Sequence, residues 1–138
     1  MMALSSHARL IWARTVVGEA RGESPKGQLA VAFVPWNRAQ LSGRTVAQEC
    51  LRPWQFSCWN KDDPNRAIIL AMGAQALAPF LAHIDAVLEQ APDPSQHATF
   101  YHVFGLHPPW SIGHPSCAVI GAHRFYRNIA PYLEHSHA

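Results

Sequence analysis

Apolar and polar positions follow a helical period from the start of the chain. Set on a helix at about 100° per residue, residues 5 to 21 gather Leu10, Ala13, Val16, Val17 and Ala20 on a broad apolar face. Trp12 falls at the margin of that face, with Glu19 about 20° further round. Ser5 or Ser6 can cap this helix, and Gly22 ends it. Ser24 followed by Pro25 is a fresh start, a capping residue before a proline at the first helical position. Residues 25 to 39 then place Leu29, Ala32, Phe33 and Trp36 on one stripe, so the two helices should pack as a hairpin with Glu19 near its bend. Pro35 lies inside the second helix, where it removes one backbone bond and crowds the carbonyl of Val31; a kink or an early end is expected there.

Thr45 with Gln48 fits a capping box for a short helix that ends near Leu51, and Pro53 stops it. Asp63 and Pro64 open the next helix, with Ile68, Ile69, Met72 and Ala76 as its buried stripe. Pro79 pushes Ala78 out of helical geometry, which predicts a new segment from Pro79 to about Gln90. Beyond the loop at 92 to 95 the pattern changes. HATFYHVF and CAVIGAHRFY are short and rich in aromatic and β-branched residues, consistent with two strands bracketing the loop GLHPPWSIGHPS. The tail NIAPYLEHSHA suggests a last half-helix that frays. The expected architecture is α+β: one mainly helical domain over residues 1–138, with a small two- or three-stranded β element in the C-terminal half.

Composition narrows this picture. At 138 residues, 49% of them hydrophobic and 14% charged, the chain can bury a core without disulfides or metals. A net charge of +2 with nine histidines is a mild basic bias that favours an anionic partner over a neutral one, and without a dense basic run it is too weak to argue nucleic acid, so no nucleic-acid partner is expected. No apolar run reaches the ~18 residues of a membrane span, so stable membrane insertion is not expected, and neither is an oligomer. Cys50, Cys58 and Cys117 are an odd number, which implies no disulfide framework. The N-terminal stretch lacks the pattern of a secretion signal, so synthesis in the cytoplasm is expected.

Three features carry candidate chemistry. Glu19 sits at the edge of a buried face, and a carboxylate that loses hydration there should have its pKa raised toward the range of a general acid. The loop WQFSCWN places Trp54, Phe56 and Trp59 beside Gln55, Ser57 and Asn60; rings with a polar rim suit the C–H faces and hydroxyls of a sugar, and equally suit a core below a loop. His97, His102, His107, His114 and His123, with Cys117, lie between residues 97 and 123 and raise the alternative of a zinc amidase or peptidase. No pair has the HExxH spacing, and on one strand His97 and His102 would point to opposite faces, so no metal is expected.

GEARGE (residues 18 to 23), followed by SPKGQLAVAFV and then Asn37 and Arg38, resembles the signature of the bacterial cell-wall hydrolase family typified by the spore-cortex-lytic enzymes, whose members also occur in phages as endolysins. PWQFSCWN with DPNR, and ATFYHVFGLHPPW with IGAHRFY, agree with it in order, so the resemblance spans roughly residues 8 to 127. Pro35 and Trp36 depart from the leucine- or valine-like residue of the family pattern. The resemblance implies a lysozyme-like fold, the glycan strand of peptidoglycan as substrate and partner, no cofactor, and Glu19 as the catalytic acid. Motif position brings Glu23, Gln55, Phe56, Ser57, Trp59, Tyr101, Trp110 and His123 to the substrate.

The number of carboxylates decides the reaction. Retaining glycosidases hold two about 5 Å apart and inverting ones about 6.5 to 9.5 Å. Glu23 would stack over Glu19 only on a continuous helix, which Gly22 and Ser24 interrupt. Glu49, Asp62, Asp63, Asp85, Glu89, Asp93 and Glu134 fall in caps, loops or exposed faces. One acid suffices if the muramic 6-hydroxyl is the nucleophile, which gives a 1,6-anhydro sugar, the product of a lytic transglycosylase. A hydrolysing muramidase with Glu23 as helper is the alternative, and a non-catalytic wall-binding module a further one. A phage or prophage endolysin, made in the cytoplasm and acting on the wall after release, is the expected setting.

Overall fold

The structure, a computed structural model, describes residues 4–134. Five helices precede a small sheet: α1 (Ser6–Ala20), α2 (Pro25–Ser42), α3 (Val46–Leu51), α4 (Pro64–Ala71) and α5 (Ala74–Leu88), then β1 (Phe100–Val103), β2 (Ala118–Ile120) and β3 (His123–Tyr126). Single 3-10 turns lie at Ser57–Trp59 and Pro109–Ser111. The expected α+β, mainly helical class is the one observed.

Helix starts follow the local signals. The Ser5 hydroxyl accepts the amide of Ala8, the Ser24 hydroxyl that of Gly27, and Thr45 and Gln48 form both halves of a capping box. Helix interiors depart from expectation because α1 and α2 are surrounded. The α1 helix packs on α2, α3, α4 and α5, so Trp12 is wholly buried rather than marginal. Its indole N–H donates to the Ala32 carbonyl at 2.9 Å and ties α1 to α2. The α2 helix does not end at Pro35 but runs to Ser42, where Gly43 caps it at φ +79°. Burial from Ala30 through Pro35 and again at Asn37 to Ala39 replaces the single stripe; that packing outweighs the one backbone bond Pro35 removes. Leu29 and Trp36 are only half-buried.

The α4–α5 boundary does not fall where the proline rule puts it. The break falls at Met72 and Gly73, with the two helices bent by 98°, and Pro79 lies inside α5. Leu77, Ile84 and Val87 hold α5 against the core, whereas Pro79 is exposed, so water can reach the carbonyl it leaves unpaired. Of the stripe expected on α4, only Ile69 is buried; Ile68 and Ala76 are exposed. Among the described residues no single helix is long and apolar enough to cross a membrane.

CAVIGAHRFY is not one strand but a hairpin, because Gly121 takes φ +55° and reverses the chain between β2 and β3. The sheet is antiparallel in the order β1-β3-β2, with Tyr101 opposite Phe125 and Val103 opposite His123. Residues 128–134 form a bridge between Ile129 and Tyr132 in place of a half-helix; the remaining residues of that expectation, 135–138, lie outside the described ones. Tyr132 is buried at 1% exposure. The core gathers Trp12, Val16, Val31, Phe56, Leu77 and Phe125 between helices and sheet, each large side chain contributing about 1.5–3 kcal/mol by burial.

Candidate active site

Glu19 is in the last turn of α1, and two elements from elsewhere in the chain converge on its carboxylate. The Tyr101 hydroxyl, from β1, donates to Oε1 at 2.5 Å. The backbone N–H of Cys58, in the turn Ser57–Trp59, donates to Oε2 at 3.2 Å. Gly18 permits the second contact: a Cβ there would fall 2.4 Å from Cys58 Cβ and 2.7 Å from its Sγ, so only glycine lets this turn lie against α1. Burial, then the negative charge of Glu19, pushes the Tyr101 phenol well above its ordinary range, which keeps it a proton-bearing donor. The same two causes push the Cys58 thiol up, so it stays a neutral packing group.

The carboxylate opens into a cleft of about 280 Å³ lined by Arg38, Trp54, Gln55, Phe56, Ser57, Phe100, Tyr101 and Trp110. Six sequence-predicted residues therefore meet in one place: Glu19, Gln55, Phe56, Ser57, Tyr101 and Trp110. The other three do not line it. Trp59 turns back onto α1, its indole N–H donating to Thr15 Oγ1 at 2.9 Å. Glu23 Oε1 accepts the amide of Ala122 at 3.0 Å and stands 3.5 Å from His123 Nδ1, latching the α1–α2 bend to the β2–β3 turn. His123 is 4% exposed and edge-on to the Tyr101 ring at 5.0 Å, so it backs the cleft from behind. Burial holds its pKa below the ordinary value, with the nearby Glu23 charge acting the other way.

Arg38 and Phe100 are the cleft residues to which sequence reasoning gave no role; Trp54, expected with its loop as either a sugar platform or a core ring, joins them in the lining. Trp54 is 81% exposed and forms an open edge. Arg38 is 3% exposed, with its guanidinium over the rings of Phe100 (4.5 Å), Tyr132 (4.9 Å) and Phe56 (5.0 Å). Its Nε donates to the Thr99 carbonyl at 2.6 Å and its Nη1 to Gln55 Oε1 at 3.0 Å, which orients the Gln55 amide in the cleft. The available signals for Arg38 were its place in the motif after Asn37 and its position as one arginine closing the apolar run AVAFVPWNRA. Glu49, expected in a cap or on an exposed face, is instead fully buried, where Arg44 and the hydroxyls of Ser42 and Tyr132 donate to it. It does not line the cleft.

The histidines are spread by the fold. His97 precedes β1, and His102 Nδ1–H donates to the Val103 carbonyl while Nε2 accepts from the Tyr126 hydroxyl. Among the described residues no three side chains of His, Cys, Asp or Glu gather as a metal would require. A larger groove, about 580 Å³, opens on another face of α2 and shares no lining residue with the cleft. The smaller cavity is the candidate active site because it alone holds a carboxylate fixed by donors from two other elements.

One fixed carboxylate in an aromatic cleft with a polar rim, within a mainly helical domain, is an arrangement suited to acid-dependent cleavage of glycans. Residues 22–126 match the profile of the family described as Cell Wall Hydrolase, and the chain belongs to that family. It is 33% identical over 118 residues to the spore cortex-lytic enzyme of Bacillus subtilis (strain 168), a match covering 82% of this chain and 35% of that protein. The chain thus spans about a third of the length of that curated relative. Two solved structures are similar. The catalytic domain of the germination-specific lytic transglycosylase SleB from Bacillus anthracis has a TM-score of 0.71 at 27% identity, covering 92% of this chain and 99% of that one. The catalytic domain of the Bacillus cereus SleB protein has a TM-score of 0.71 at 25% identity, covering 92% and 94%.

Proposed function

We propose that this chain cleaves the glycan strand of peptidoglycan as a lytic transglycosylase, with Glu19 as general acid and then general base. The observation that carries the reading is the lone carboxylate: among the described residues lining the cleft, Glu19 is the only acid. Similarity to the SleB catalytic domain, a lytic transglycosylase by description, supports the same reaction. The Glu19 proton goes to the bridging oxygen as the C1–O4 bond between muramic acid and glucosamine breaks. Positive charge develops at C1, and the carboxylate then accepts the proton of the muramic 6-hydroxyl as O6 bonds to C1. The acid is regenerated, no water is consumed, and the product is a 1,6-anhydro sugar. Tyr101 and the Cys58 amide hold the two carboxylate oxygens through both steps, while Gln55, Ser57, Trp54 and Trp110 offer hydrogen bonds and ring faces to the sugars.

Purified peptidoglycan, digested and read by mass spectrometry, tests this. Wild-type protein is expected to give anhydro ends. Glu19→Gln is expected to lose at least about 100-fold in rate, as removal of a general acid does, while still pelleting with the wall. Ends carrying one added water would replace the proposal with plain hydrolysis, and full activity of the variant would end it. The endolysin setting is a further part of the reading, supported by the motif resemblance to a family with phage members, with the protein acting as a monomer on the wall after release from the cytoplasm. Cells expressing the protein are expected to stay intact until a membrane-permeabilising agent is added and then to lyse; survival after permeabilisation would remove that role.

A further inference from the structure

The larger groove is built from elements outside the cleft. Trp36, Asn37, Gln40 and Leu41 come from α2, His97 from the loop before β1, and Arg127 and Glu134 from the segment after β3. Residues 36, 37, 40 and 41 cluster on a face of α2 about 130° round from Arg38, so the helix itself separates the two sites. At about 580 Å³ the groove has the size of a ligand site.

Its parts are held in place. The Trp36 ring stacks on the buried Trp12 ring at 5.9 Å and 4°, which fixes the orientation of its open side. Asn37 is buried, its amide N–H groups donating to Asp93 Oδ2 and the Ala98 carbonyl, each at 2.9 Å. Gln96 and His97 both take left-handed backbone geometry, φ +61° and +66°, which non-glycine residues rarely adopt in succession. Asp93 pins them there, accepting the His97 amide at 3.1 Å on Oδ2 and the Gln96 amide at 3.2 Å on its carbonyl. Strain of this kind persists where the surroundings enforce it, and here it sets the His97 imidazole at the groove's edge. Among the described residues, the Trp36 indole N–H, the Gln40 amide and the His97 ring make no hydrogen bond, although all three line the groove.

We propose that this groove is a second binding site for a glycan, taking an N-acetylated amino sugar against Trp36. A sugar ring offers C–H groups to the indole and presents hydroxyl and amide groups that both donate and accept, which the free side chains of Gln40, His97 and Trp36 match. The rim carries Arg127 and Glu134, of opposite sign, so it selects neither an anion nor a cation. The choice of amino sugar among sugars rests on the reaction proposed above. Its role is to hold a neighbouring strand of the polymer while the cleft cuts.

The test is a titration of N-acetylglucosamine tetramer into nitrogen-15-labelled Glu19→Gln protein, following the indole N–H signals of the five tryptophans. The Trp36 signal is expected to move and saturate. A Gln40→Ala, His97→Ala double variant should raise the concentration for half-saturation at Trp36 about fivefold, the scale of lost net hydrogen bonds, without changing that at Trp54 or Trp110. A Trp36 signal that stays still while Trp54 and Trp110 saturate overturns the second site and leaves the reaction standing. Movement of Trp36 in a protein whose wild type yields no anhydro ends supports the groove and removes the reaction. If no tryptophan signal moves, the second site falls, and the reaction stands or falls separately on the anhydro ends released by the wild-type protein.

Discussion

At the scale of single residues the site depends on what holds Glu19. Tyr101 donates to it from a strand far away in sequence, and Phe125 and His123 pack around the Tyr101 ring. Tyr101→Phe keeps that packing and removes the donor, so the carboxylate would be aimed less well in the two proton transfers proposed for it. A rate on peptidoglycan lower by about 10- to 100-fold, with the melting temperature within a few degrees of wild type, is expected; a parallel loss of both would mark Tyr101 as a structural residue. Glu19, Gln55, Ser57 and Trp110 were legible in the sequence because motif blocks carried them. Arg38 stood in the motif as well, but its role was not legible, since nothing in a helical period tells a buried cation held over three rings from a solvated one. Glu23 was legible as a motif residue, but its partner, the Ala122 amide, is 99 positions away and leaves no local trace.

Elements carry the pH dependence and the proline effects. His123 opens β3 behind the cleft, and burial lowers its pKa in the fold; burial lowers that of His83 on α5 as well. Below about pH 6.5 the unfolded chain takes these protons while the folded one resists them, so the unfolded state binds more. Stability is therefore whole above that pH and declines as pH falls through it. Urea midpoints measured from pH 8 to pH 5 should fall, and His123→Gln should flatten the decline. On α5, Pro79 leaves one helical carbonyl without a partner on the exposed side. Pro79→Ala is expected to add about 1 kcal/mol or more, seen as a higher melting temperature. Helix starts were readable because a cap is a local hydrogen bond. The α4–α5 break was not, because the rule for residues before proline is a steric bias that the packing of Leu77 and Ile84 overrides.

For the molecule as a whole, the helical bulk and the late sheet were readable from the change of period near residue 97, and the order of elements followed. What stayed hidden was how far α1 and α2 are enclosed. Amphipathic stripes describe helices with one wet side, and these two meet neighbours on several. Arg38 is where that enclosure and the site meet, since its guanidinium touches rings from the aromatic loop, β1 and the tail while its Nη1 steadies Gln55.

Tyr132 contributes one of those rings, and it stands beyond residue 126, where the family match stops. A fragment trimmed to the end of the family match would keep Glu19, Tyr101 and the whole sheet, yet open a hole beneath the arginine and leave Glu49 short of a donor. Shortening the protein after Arg127 should thus lower its denaturant midpoint and slow the proposed wall digestion together, which would put the smallest stable and active unit beyond the end of its signature.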